Sequence, residues 1–100
     1  MHVRLLYFDD CPNWEEAARH LEVLASEVDD LDITTSIIDT PELAASENFR
    51  GSPTILIGGM DPFAKPDDPV GLSCRRYETP DGPAGSPALS QLRAALGLDE

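Results

Sequence analysis

VRLLYFDDCPNW, residues 3–14, decides the fold. Its first six residues are apolar except for Arg4 and include Val3, Tyr7 and Phe8, the composition of a strand covered on both faces, so residues 3–8 are expected to form a central strand. After the acidic pair Asp9 and Asp10, Cys11 stands directly before Pro12. Proline suits the first position of a helix because its missing N–H removes no helical hydrogen bond, which makes Cys11 the expected N-cap. From Trp14 the apolar residues Ala17, Ala18, Leu21, Leu24, Ala25 and Val28 recur at intervals of three and four, with Glu15, Glu16, Arg19 and Glu22 between them. That is the stripe of an amphipathic helix.

Asp29, Asp30 and Asp32 separate this helix from ITTSII, residues 33–38, whose β-branched content predicts a second strand. Thr40 before Pro41 is a cap followed by a first-turn proline, so a short helix is expected over residues 41–48. FRGSPTILIGG, residues 49–59, holds a third strand at 54–57 between Gly-Ser-Pro and Gly-Gly. Residues 58–71 lack periodicity and are expected as an extended loop. LSCRRYE, residues 72–78, is expected to return as a fourth strand. After the turn-like TPDGPAG, Ser86 and Pro87 open a third helix whose stripe is Ala88, Leu89, Leu92, Ala95 and Leu96, ended by Gly97. The expected order is β-α-β-α-β-β-α. Strands one and two should run parallel, and strands three and four should form an antiparallel hairpin beside strand one, giving an α/β fold with a mixed four-stranded sheet flanked by helices.

One hundred residues with 41% apolar content fill one core, so residues 1–100 are expected as a single domain. The formal charge of −12, from 19 acidic against 7 basic residues, repels phosphate backbones and anionic membrane surfaces, so neither nucleic acid nor membrane is an expected partner. No apolar run reaches the roughly 18 residues of a membrane span. Arg4, Asp9 and Asp10 stand where a signal peptide would be apolar, and a cytoplasmic location is expected. Two cysteines in a domain of ordinary apolar content are not a secreted disulfide framework, so both are expected as thiols. His2 and His20 have no neighbours at metal spacing, and residues 51–59 lack the Gly-Lys-Ser/Thr of a phosphate loop, so neither metal nor cofactor is expected.

Three features taken together carry a family resemblance: Cys11 between the first strand and first helix, Pro53 just before the third strand, and a hairpin and final helix following in order. Over nearly its full length the chain resembles the thioredoxin-like superfamily. The resemblance implies a minimal thioredoxin-like fold, a cis Ser52–Pro53 bond lying against a reactive Cys11, and a substrate groove shaped by Ser52 and Pro53. The chain departs from the family at Cys-Pro-Asn-Trp, where Trp14 occupies the position of the second motif cysteine. No disulfide can form within that motif. Trp14 also falls on the apolar stripe, where it serves as a core or pocket-wall residue or stacks on substrate.

What remains is a single-thiol redox role, in which Cys11 attacks a disulfide, peroxide or glutathione mixed disulfide and a protein or small thiol partner resolves the product. The alternative is a non-catalytic thioredoxin-fold binding module. A weaker resemblance, carried by FRGSPTILIGG followed by LSCRRY, is to small bacterial proteins grouped loosely with alkylmercury lyases, and it implies soft-metal or organomercurial handling by Cys11 and Cys74.

A helix terminus favours the Cys11 thiolate, whereas Asp9 and Asp10 oppose it, and the sign of the balance stays open in the sequence. Arg75 or Arg76 could supply an offsetting cation, and Arg76 is a candidate substrate-binding residue. Cys74 is a candidate second thiol. With strand three between strands one and four, however, the two cysteines would lie roughly 9–10 Å apart. A disulfide needs Cα atoms within about 7 Å, so their direct pairing is not expected.

Overall fold

A computed structural model describes residues 1–28, 30–64 and 69–98. Asp29 of the acidic separator and residues 65–68 of the expected loop lie outside the described residues.

β1 (His2–Tyr7) is the middle strand of a three-stranded sheet of order β2-β1-β3. β2 (Asp32–Ile37) runs parallel to it, in register from His2 opposite Asp32 to Tyr7 opposite Ile37. β3 (Thr54–Ile57) runs antiparallel along the other edge, from Val3 opposite Ile57 to Leu6 opposite Thr54. β3 has the expected bounds, and β1 and β2 each begin and end one residue earlier than the pattern implies. The central position of β1 follows from its apolar residues on both faces. Val3 and Leu5 are buried against Ala17, Leu21, Leu24, Ile55, Leu92 and Leu96, whereas Leu6 is buried with Ile38, Ala44 and Phe49. Arg4, on the Leu6 side, reaches Glu47 at 3.1 Å, so its polar head is paired at the edge of the second cluster.

Helices α1 (Trp14–Glu27) and α3 (Leu89–Ala95) cover the Val3 face, and α2 (Pro41–Ser46) covers the Leu6 face. The Arg93 guanidinium meets the Glu27 carboxylate at 2.5 Å and ties α3 to α1. That bond is the main reason the Glu27 carboxyl sits below its ordinary pKa, with the charge of Arg93 adding to it and desolvation opposing it.

Thr40 caps α2 as expected, its hydroxyl accepting the Leu43 N–H at 3.1 Å. The helix ends two residues short of Asn48, which takes a left-handed φ of 55° while the next residue, Phe49, bonds back to Ala44 at 2.8 Å. α3 starts later than Ser86–Pro87 implies. Ala88 is its N-cap, and the Gln91 side chain satisfies the Ala88 N–H at 2.9 Å in place of a hydroxyl cap.

The start of α1 corrects the expected cap. Cys11 donates its N–H to Phe8 at 3.0 Å and Glu15 donates to Pro12 at 3.1 Å, so a turn intervenes and Asn13 is the N-cap. The Asn13 side chain makes no capping bond. It lies against Gly85, where an added Cβ would come within 2.3 Å of Asn13 Cγ.

The expected fourth strand is also corrected. Residues 72–78 do not extend the sheet: β4 (Tyr77–Thr79) pairs antiparallel with β5 (Gly82–Ala84) in a separate two-stranded sheet. The cause is local. Pro80-Asp81-Gly82, with Gly82 at φ 108° and the Thr79 hydroxyl donating to the Gly82 carbonyl at 2.6 Å, closes a tight hairpin. The segment before it meets the approach to β3 through a parallel bridge between Ser52 and Cys74 instead of a strand ladder. Among the described residues, no helix is long and apolar enough to cross a membrane.

Candidate functional site

The loop after β1, the segment entering β3 and residues 73–75 converge on Ser52. Its hydroxyl accepts the Phe8 N–H at 2.9 Å, its own N–H donates to Ser73 at 2.7 Å, and its carbonyl accepts from Arg75 at 3.0 Å. Ser52 is fully buried, and these three bonds leave none of its polar atoms idle. Thr54, also buried, donates its hydroxyl to the Gly51 carbonyl at 2.7 Å.

This convergence joins Cys11 and Cys74 in a disulfide, with Cα atoms 5.7 Å apart. The expectations of two thiols and of an unbridgeable gap are therefore corrected. A gap of two strand spacings would hold only if residues 72–78 lay beyond β3 as a fourth strand. Instead Cys74 is bridged to Ser52, and Ser52 is bonded to the end of β1, so one residue stands between the two chain segments that carry sulfur. The two cysteines differ in exposure: Cys11 is 2% exposed, and Cys74 is exposed to solvent.

The Ser52–Pro53 bond is cis, as the resemblance implies. Pro53 is buried, and its carbonyl accepts the Tyr77 hydroxyl at 2.5 Å. Ser52 and Pro53 thus tie the loop after β1, residues 73–75 and Tyr77 to the segment entering β3. Trp14 is partly buried against the main core cluster and stacks on Tyr7, with ring centroids 4.3 Å apart.

Arg75 and Arg76 part company. Arg75 turns inward, 7% exposed, with its guanidinium on the Asp61 carboxylate at 2.7 and 3.3 Å and 4.7 Å above the Tyr77 ring. Its charge is committed to Asp61. Arg76 is exposed and lines a cleft of about 290 Å³ with Pro62, Phe63 and Tyr77.

Sequence reasoning missed Asp61 and Tyr77. Asp61 carried one signal, since an aspartate before a proline marks a turn, and its Oδ1 does accept the Phe63 N–H at 2.9 Å. Its pairing with Arg75, and at 3.5 Å with Arg50, had no local signature. Gly51, with φ 105°, is required by the same packing: a Cβ there would lie 3.0 Å from Arg75 Cβ and 3.2 Å from the Ser73 carbonyl.

Among the described residues, no three His, Cys, Asp or Glu side chains are grouped to hold a metal ion. Comparison with family models, with curated proteins and with solved structures gives no match.

Proposed function

We propose that the chain is a thioredoxin-like thiol–disulfide exchange protein whose redox pair is Cys11 and Cys74. The observation that carries this reading is the disulfide between a cysteine that follows β1 and one bridged to Ser52. Cys74 supplies the second sulfur that Trp14 denies to the fourth motif position, so both members of the redox pair lie within the chain. In a cytoplasm kept reduced by small thiols, such a pair cycles between disulfide and dithiol rather than acting as a permanent staple. Protein or low-molecular-weight thiols and disulfides are the partners. The test is titration of the thiols in the wild-type chain against a glutathione redox buffer, followed by turnover of a disulfide substrate. Two thiols should appear and disappear together, and either Cys11→Ser or Cys74→Ser should abolish turnover. Turnover that survives the double substitution sinks the reading.

The same observation favours a second reading. Two sulfurs that meet in the disulfide can, once reduced, converge on one soft ion, which removes the distance objection to organomercurial or soft-metal handling. Mercuric ion should then bind the reduced protein at one equivalent and lose that stoichiometry in Cys11→Ser. Absence of binding at one equivalent disposes of this reading.

A further inference from the structure

We propose that Cys74, rather than the cysteine in the motif position, is the sulfur that exchanges with the partner, and that Cys11 is the buried resolving thiol. The assignment rests on the redox reading above and reverses the roles that the chain order of the family resemblance implies.

Thiol–disulfide exchange is a displacement at sulfur. The incoming thiolate must approach the attacked sulfur from the side opposite the leaving sulfur, so access decides which of two bonded cysteines is attacked. Cys11 is 2% exposed, in a turn pinned by its own N–H on Phe8. Cys74 belongs to an extended segment whose burial alternates: Cys74 exposed, Arg75 buried, Arg76 exposed, Tyr77 buried. Arg75 and Tyr77 face inward and hold the segment through Asp61 and the Pro53 carbonyl. Cys74 and Arg76 are therefore the solvent-exposed positions of this stretch, and of the two bonded cysteines Cys74 is the one that solvent reaches. A cleft lined by Arg76, Glu78 and Phe63 begins two residues along this segment from Cys74 and gives a partner a place to lie.

In the reductive direction, a partner thiolate attacks Cys74 Sγ. A new sulfur–sulfur bond forms to Cys74, the Cys11–Cys74 bond breaks, and Cys11 leaves with the electron pair and takes a proton from solvent. A second partner thiolate then attacks the partner's sulfur in the mixed disulfide, releasing a partner disulfide and the Cys74 thiolate. Two thiols are oxidised and one disulfide is reduced. In the opposite direction the Cys74 thiolate attacks a substrate disulfide, and Cys11 displaces the product from the mixed disulfide.

The test uses the full chain. Reduced Cys11→Ser and Cys74→Ser are mixed with 5,5′-dithiobis(2-nitrobenzoate), and the second-order rate of nitrothiobenzoate release is read for each. Serine nearly preserves the volume of the missing thiol, so the cover over the remaining cysteine is kept. Cys74 in Cys11→Ser should react at least tenfold faster than Cys11 in Cys74→Ser. The wild-type chain provides a second readout that needs no variant: the oxidised protein is given glutathione, quenched with acid and alkylating agent, and the glutathione adduct is located by peptide mass spectrometry. The adduct should lie on Cys74. Equal or reversed rates, or an adduct on Cys11, overturn the assignment while leaving the redox pair standing. A wild-type protein whose two thiols do not cycle with glutathione overturns both.

Discussion

The Tyr77 hydroxyl donates to the Pro53 carbonyl at 2.5 Å, joining the first residue of β4 to the residue before β3. Tyr77 is 4% exposed and Pro53 is fully covered, so this bond is made away from water and ties the small hairpin to the segment entering the main sheet.

Tyr77→Phe isolates that bond. The ring keeps its edge contact with Phe63, centroids 5.4 Å apart, and its place under the Arg75 guanidinium, so only the hydroxyl is lost. A buried carbonyl deprived of its partner costs about 1–3 kcal/mol. The variant should unfold at lower urea concentration with an unchanged denaturant slope. An unchanged midpoint would show that water replaces the hydroxyl.

Asp61→Asn removes the counter-charge of Arg75 with almost no change in shape. The Asp61 and Arg75 side chains are 2% and 6% exposed, so the substitution breaks a buried ion pair from its acidic side, and it takes the same carboxylate from Arg50 at 3.5 Å. Breaking a buried pair from one side costs roughly 3–5 kcal/mol. Stability measured in urea should fall by an amount in that range, and the double variant Asp61→Asn/Arg75→Met should lose less than Asp61→Asn alone. A double variant that is weaker than the single would show that Arg75 acts through its other contacts.

These two residues also mark where legibility in the sequence stops. β1, β3 and α1 were readable because each is a local pattern: a run apolar on both faces, four residues between glycine signals, and a stripe at helical spacing. The pairing of β1 with β2 followed from the short crossover between them. The cap at Cys11 misled because Cys11-Pro12 satisfies the local rule, whereas the chain makes one more turn before Asn13. Residues 72–78 misled because their strand-like composition carries no information about partner choice. Pro80-Asp81-Gly82 pairs Tyr77–Thr79 with the residues just after it, and the inward pull of Asp61 on Arg75 holds Cys74 beside Ser52. Both are contacts across a turn or a loop, invisible to periodicity, and together they produce the disulfide.

Arg93→Gln should give a pH-dependent loss. The bond from Arg93 holds the Glu27 carboxyl below its ordinary pKa in the folded chain, so the pair stabilises the fold above the unfolded pKa of about 4.3. The contribution is lost as pH falls through the lowered folded value. Both side chains are solvent-accessible, so the effect is small and screened by salt. Thermal midpoints of Arg93→Gln and wild type should differ slightly at pH 7 in low salt and converge in acid below that window. A difference that persists in acid or in 1 M salt would assign the loss to packing between α1 and α3.

Reduction of the Cys11–Cys74 bond should weaken the fold without unfolding it. The bond spans a sequence separation of 63, and in the chain-entropy account closing a loop of that size removes about 4 kcal/mol of denatured-state freedom. Domains of this size commonly have about 5–15 kcal/mol to lose. The main core cluster, which packs Val3 and Leu5 against α1 and α3, does not depend on the sulfurs. Urea midpoints measured with and without dithiothreitol should therefore differ by up to about 4 kcal/mol in stability, with a cooperative transition in both. The reduced form must stay folded for Cys74 to attack and Cys11 to resolve from fixed positions. A reduced protein that has lost its near-ultraviolet circular dichroism in buffer alone would make the disulfide a structural staple, and the redox reading would fall with it.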